Sequence, residues 1–167
     1  MEAANVRLAS SADADAIARI YAHHVLHGTA SFEEQPPSQD FWRRKIEAIS
    51  SSDWPFLVTE ADGSVVGYAY ATQFRDRAAY RFTCENSIYV HPDYVGRGIG
   101  RSLLTALISA AQGAGFRQMI AVIGGAEPAS VALHGSCGFS EAGRMKRVGF
   151  KFDRWLDSLY MQRDLTQ

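Results

Sequence analysis

Apolar residues recur along this chain with two different periods, and the change falls at Pro55. Ahead of it, Val6 to Ala9 suits a short strand. Ile17, Ile20, Tyr21, His24 and Val25 then fall on one helical face, with Ser11 and Asp13 offering cap oxygens and Gly28 ending the run. Thr29 to Phe32 reads as extended, and Pro36-Pro37 punctuates. Ser38 opens a second helix with Trp42, Ile46 and Ile49 on its inner face, closed by Ser50 to Asp53. Beyond Pro55, Phe56 to Val58 predicts a strand, Ala61-Asp62-Gly63 a hairpin turn and Val65 to Phe74 a longer strand. Arg75 to Ala79 reads as a polar loop and Tyr80 to Val90 as another strand. Leu103, Leu104, Leu107, Ile108 and Ala111 mark an amphipathic helix ending at Gly115. Met119 to Ile123 predicts a buried strand, Pro128 to Cys137 a helix, Phe139 to Met145 a strand and Trp155 to Leu165 the last strand. The order is mixed α/β, without internal repeat or linker, and a single domain over 1–167 is expected.

Composition narrows the class. The 167 residues are 47% hydrophobic and 21% charged, so a sizeable core is affordable to the chain. Seventeen basic against eighteen acidic residues give a charge of −1, which argues against a dedicated nucleic-acid or polybasic membrane protein. No apolar run approaches a membrane span, and the N-terminal stretch lacks the pattern of a secretory signal. Cys84 and Cys137 form no CxxC pair, so a disulfide framework or cysteine metal site is not supported, and a soluble cytoplasmic protein is expected. His23 and His27 stand one turn apart, but further ligands and an HExxH motif are missing; no metal is expected.

The most informative segment runs from Ile88 to Leu104. An apolar strand ends, Pro92 turns the chain, and Gly96, Gly98 and Gly100 open a helix. Glycines there let backbone N–H groups approach an anion at a helix N-terminus, and Arg97 and Arg101 add positive charge. The spacing is neither a P-loop, which lacks its Lys and Ser/Thr here, nor the G-x-G-x-x-G of a dinucleotide fold. A tight strand-to-helix connection without ligand is the bland alternative.

The whole chain resembles the GNAT N-acetyltransferases, and within them the phosphinothricin / methionine sulfoximine acetyltransferase branch. The phosphate loop of that superfamily, [Q/R]-x-x-G-x-[G/A], is matched by the segment from Val95 to Gly100, with valine in the first position. Further likeness lies in Ile20-Tyr21 with Thr29 to Glu33, in Glu85 to Val90, in Ser130 to His134 leading to Gly138-Phe139, and in Val148 to Asp157. The resemblance implies an α/β GNAT (acyl-CoA N-acyltransferase) fold, a mixed central sheet flanked by helices, and a homodimer whose interface includes Lys151 and Trp155. It implies direct acetyl transfer from acetyl-CoA to a small amino-acid-like amine in a ternary complex. Acetylation of a peptide N-terminus or polyamine is the nearest alternative activity, and a CoA-binding sensor without turnover is an alternative of another class.

The same resemblance assigns residues. Glu85 corresponds to the general base, against an ordinary strand glutamate paired with Arg75 or Arg81. His134 corresponds to a group that protonates the departing thiolate or hydrogen-bonds the cofactor; an imidazole suits either task. Ile88, Tyr89 and Val90 are expected to meet the pantetheine arm through backbone groups, one of them stabilising the oxyanion. Gly96, Arg97, Gly98, Ile99, Gly100 and Arg101 would hold the phosphates, with Ser130 and Glu127 also near the cofactor; the branch often carries Asn where Glu127 stands. Phe32, Arg75, Arg77, Arg81, Asn86 and Ser87 are the expected acceptor contacts, since guanidinium is a natural clamp for an α-carboxylate.

Overall fold

The computed structural model describes residues 4–167. Seven strands form one sheet in the order β1-β2-β3-β4-β5-β7-β6, with β1 Asn5–Leu8, β2 Phe56–Ala61, β3 Ser64–Gln73, β4 Thr83–Val90, β5 Gln118–Gly124, β6 Ser140–Lys151 and β7 Arg154–Asp164. Every neighbouring pair is antiparallel except β4 and β5, which are parallel and joined through a helix. The helices are α1 Ala14–His27, α2 Gln39–Ser51, α3 Ile99–Gly113 and α4 Pro128–Ser136.

Strand alternation divides the core into two layers. Val58 and Tyr68 face α1 and α2, where Ile17, Trp42 and Ile46 bury the other side of the cluster. Ala69, Ala71 and Cys84 face α3, against Leu103 and Leu107, in one cluster with Met119 of β5. Small residues on β3 suit the α3 face because they let a leucine-lined helix lie close. Ser38 begins α2 as expected, its hydroxyl accepting from Phe41 N–H at 3.1 Å. Arg7 on β1 ties this edge together, donating to both Asp13 oxygens at 2.9 Å and to Glu60 from Nε at 3.0 Å.

Three expectations need correction. Tyr80 to Phe82 are not strand: residues Ala78–Tyr80 form a 3-10 turn and β4 begins at Thr83. The Gln73 amide draws this loop tight by donating to the carbonyls of Arg75 and Arg77, and Tyr80 packs edge-on to Phe74 instead of joining the sheet. Thr29 to Phe32 bends rather than extends, because Ser31 is held on two sides, by the Tyr21 hydroxyl and by Lys151. The strand foreseen as Phe139 to Met145 continues to Lys151. Its register shifts between Met145 and Gly149, with Arg147 at φ 57°, and an exposed strand with a phase break shows no alternation to read.

Candidate active site

β4 and β5 pair only from Thr83 opposite Gln118 to Asn86 opposite Ala121. Beyond that register β4 continues to Val90 and β5 to Gly124, and the two diverge. A cleft of about 480 Å³ fills the divergence, walled by both strands, the 30–33 segment and α4. Thr83 C=O accepts from Phe74 N–H and His91 N–H donates to Val66 C=O, so odd-numbered backbone groups of β4 turn toward β3. Even-numbered groups, those of Ile88 and Val90, therefore turn into the gap. His24 Nε2 donates to the Val90 carbonyl at 2.8 Å, leaving Ile88 N–H, Ile88 C=O and Val90 N–H aimed at the cleft.

At the open end of β4 the chain forms a glycine loop with the geometry to accept an anion. Gly96 and Gly98 both hold φ of 80°, and a side chain there would meet nothing within 4 Å. The backbone thus needs glycine for its conformation, and the space over it is free. Gly98 places no side-chain cap on α3, whose first intrahelical bond runs from Ser102 N–H to Gly98 C=O. The N–H groups of Ile99, Gly100 and Arg101 stay available at the positive end of a helix of 15 residues. Arg97 stacks over Tyr94 at 4.9 Å, beside the loop. α4 differs: Glu127 caps it, accepting from Ala129 N–H at 3.1 Å and Ser130 N–H at 2.8 Å. The carboxylate takes these donors for its own helix, whereas the α3 donors stay open.

Glu85 lines the cleft with its side chain 34% exposed, its Oε1 3.9 Å from Arg75 Nη1. Burial pushes its carboxyl above the ordinary glutamate range, outweighing the opposing pull of Arg75 and Lys45. Nearby, the Tyr21 hydroxyl bonds Ser31 Oγ at 2.7 Å and donates to Glu33 at 3.0 Å. The Phe32 ring lies between two glycines: a Cβ on Gly124 would meet it at 2.9 Å and one on Gly149 at 2.5 Å. Lys151 Nζ, buried, donates to Ser31 C=O at 2.8 Å and so braces the same segment from β6. This lysine works within the chain, whereas Trp155 stands 56% exposed.

The predicted acceptor arginines are gathered less tightly. Arg75, Arg77 and Arg81 lie on the loop above the cleft rather than in its wall. Arg75 donates to Phe74 C=O and Arg81 to Ala78 C=O. Ser87 and Asn86 both line the cleft. His134 is 2% exposed; Nδ1 donates to Ser130 C=O at 2.8 Å, Nε2 lies 3.2 Å from Asn86 Oδ1, and the ring meets Phe139 edge-on. Burial lowers its pKa, so the ring is neutral at pH 7. Cys84 is buried among apolar side chains and its thiol is pushed up to about 12, which removes it as a nucleophile. No cluster of potential metal ligands occurs among the described residues. Sequence reading missed Gly124, Glu33 and the Lys151 brace, none of which carries a local signal of its role.

A parallel strand pair that opens beside an uncapped, glycine-started helix is the architecture of enzymes that lay an acyl-CoA into a sheet. Comparison with known proteins agrees. Residues 6–160 match the acetyltransferase (GNAT) domain family. Phosphinothricin N-acetyltransferase of Alcaligenes faecalis is 50% identical over 165 residues, covering 98% of this chain and 84% of that one. L-amino acid N-acyltransferase MnaT of Escherichia coli is 42% identical over 163 residues, covering 98% and 95%. A GNAT superfamily phosphinothricin acetyltransferase from Sinorhizobium meliloti, solved in complex with acetyl-CoA, superposes with a TM-score of 0.94 at 48% identity, covering 96% and 88%. An acetyltransferase structure from Salmonella typhimurium with its cofactor acetyl-CoA gives 0.96 at 40% identity, covering 99% and 96%. The chain belongs to the GNAT acetyltransferase family.

Proposed function

We propose that this enzyme transfers acetyl from acetyl-CoA to the α-amine of a small amino-acid-like substrate of the phosphinothricin or methionine sulfoximine type. The observation that carries the reading is the free α3 N-terminus opening onto the β4/β5 gap, with Glu85 inside that gap. Acetyl-CoA, when bound, supplies a thioester whose carbonyl carbon is open to attack. The residues present fit it: Ile99, Gly100 and Arg101 N–H groups with Arg97 for the phosphates, and the free edge of Ile88 and Val90 for the pantetheine amides. A carbonyl oxygen gaining charge beside the edge meets Ile88 or Val90 N–H.

Glu85 takes the proton that makes the acceptor amine nucleophilic, directly or through water. Its raised pKa makes it a better base than an exposed glutamate. Of the two protons the ammonium loses, one ends on the departing sulfur and the other in solvent. Arg75 and Arg81 attract the α-carboxylate over the mouth, and Phe32 with Ser87 shapes the wall. Transfer is direct, since the buried Cys84 offers no acyl-carrying thiolate.

The exposed side chains of Val148, Phe150, Phe152 and Trp155, each more than half accessible, lie on the β6–β7 hairpin. We read this apolar face as the homodimer contact, and Trp155→Arg is expected to give a monomer by light scattering. No helix among the described residues is long and apolar enough to cross a membrane, and the two free cysteines suit the reducing cytoplasm.

The test is CoA release with acetyl-CoA and methionine sulfoximine, phosphinothricin, standard amino acids, spermidine and a short peptide, with products checked by mass spectrometry. Turnover confined to amino acids and their analogues is expected. Turnover on spermidine or peptide alone would overturn the substrate class, and binding of acetyl-CoA with no turnover would leave a sensor.

A further inference from the structure

Around His134 the hydrogen-bond arithmetic does not close as the groups stand. Nδ1 lies 2.8 Å from the Ser130 carbonyl, which offers only lone pairs, so Nδ1 must carry hydrogen. In a neutral ring Nε2 is then bare, and it faces Asn86 Oδ1, another acceptor, at 3.2 Å. At the same time Asn86 Nδ2 is buried without any partner. The opposite tautomer, with Nδ1 accepting from Ser130 Oγ at 3.4 Å, would press two sets of lone pairs together across the shorter 2.8 Å contact. A doubly protonated ring would satisfy both contacts, but nothing there supports a charge. The groups facing the ring are Ser130 on its own helix, Asn86 on β4 and Phe139 ahead of β6, all uncharged, and the ring is 2% exposed. Half a turn of the Asn86 carboxamide, whose two ends have the same shape, resolves the conflict at once.

We infer that Asn86 donates Nδ2–H to Nε2 of a neutral His134 protonated on Nδ1, making Asn86 the positioning residue that fixes the tautomer of this ring. The relay runs Ser130 C=O, His134, Asn86, and so ties α4 to β4 on the floor of the cleft. Its chemical consequence is a division of labour: Nε2 is an occupied acceptor with no proton to give a departing thiolate. His134 then orients the floor of the cofactor side, and sulfur receives its proton from solvent or from the acid form of Glu85. The turned amide leaves Oδ1 in the buried place that Nδ2 held, and an unpaired carbonyl oxygen is met in folded proteins more often than an unpaired N–H. That catalytic consequence rests on the acetyltransferase reading above; the tautomer itself does not.

Heteronuclear NMR of the histidine ring nitrogens in the free protein tests it, with the His134 signals assigned by their loss in His134→Gln. At pH 7 a protonated Nδ1 and a bare, hydrogen-bonded Nε2 are expected. In Asn86→Asp a carboxylate replaces the donor, Nε2 gains a proton, and the ring titration moves up by about 1–3 pH units. A proton on Nε2 of the wild-type ring overturns the inference, as does an unshifted titration in a folded Asn86→Asp. The wild-type spectrum decides even if that variant fails to fold. Because no acetyl-CoA is present, a protein that lacks turnover yet shows this tautomer would sink only the enzymatic reading.

Discussion

Glu85 and His134 line one cleft from opposite faces of the sheet. Cys84 and Asn86 turn toward α3 and α4, where Asn86 meets His134; Glu85, between them on the strand, turns toward α1 and α2 with Tyr89. In a closed sheet these side chains would be separated by a layer of backbone. They share a cavity only because β4 and β5 part after Asn86 and Ala121. The proposed base, Glu85, therefore stands on one side of the cleft and the His134–Asn86 pair on the other.

Glu85→Gln keeps the shape of the side chain and removes the proposed base. A fall in kcat of roughly 10²-fold or more is expected, with acetyl-CoA affinity unchanged by calorimetry. Stability should hold or rise slightly, since a carboxyl whose folded pKa is raised is less stable ionised than in the unfolded chain. Normal turnover in this variant would remove the base assignment.

The pH profile follows from the same group. Burial raises the Glu85 pKa, so the acid limb of kcat/KM should lie above the ordinary glutamate value of about 4.3. Arg75 opposes that shift, and Arg75→Ala should move the limb further upward. A limb that stays in place would show that Arg75 does not act on this carboxylate.

Arg75→Ala and Arg81→Ala should each raise KM for an amino-acid acceptor, by about 10-fold for a lost charge-assisted contact of roughly 1.5 kcal/mol. Acceptors lacking the α-carboxylate should be insensitive. Unchanged saturation in the double variant would eliminate the carboxylate clamp.

Gly98 serves the fold and, in the proposed site, the ligand. At φ 80° an alanine has space but the wrong backbone, at a cost of about 1–2 kcal/mol. Gly98→Ala should lower Tm by a few degrees and weaken acetyl-CoA binding more than it affects acceptor KM. Equal losses in both constants would point to general misfolding instead.

Acid stability should depend on Asp13. Arg7, through two hydrogen bonds, holds this nearly buried carboxyl below the ordinary aspartate range. A depressed folded pKa means that the stabilisation is full above about pH 3.9 and is lost as pH falls through the folded value. Asp13→Asn should cost about 1 kcal/mol at pH 7, discounted for the part-exposed Arg7, and the difference from wild type should vanish near the acid midpoint. Urea melts at a series of pH values measure this directly.

Much of the architecture was legible because it rests on local periodicity. Trp42, Ile46 and Ile49 announce α2, and Leu103, Leu104 and Leu107 announce α3, because each set spans one helical face. The glycine loop was readable because only glycine tolerates that backbone. What stayed hidden is the work of partners distant in sequence. Nothing near Lys151 points to Ser31, nothing near His134 points to Asn86, and the parting of β4 from β5 is written in neither strand. Tyr80 and Phe82 fit the strand pattern, yet the Gln73 amide closes the loop before pairing begins. Glu127 stands where the branch often carries Asn, and only the structure shows that it caps its own helix.

The wedging of Phe32 between Gly124 and Gly149 imposes an order on how this pocket could diversify. Enlarging either glycine first collides with the ring, so such variants are eliminated before any new specificity is gained. Trimming Phe32 first meets no such barrier, and only then does position 149 become free to grow; position 124 stays closed, because a Cβ there lies 2.8 Å from the Thr29 and Ala30 carbonyl oxygens. A lineage changing its acceptor by reshaping this wall would pass through a smaller residue at 32, and laboratory libraries that vary positions 32 and 149 together would reach combinations single steps cannot.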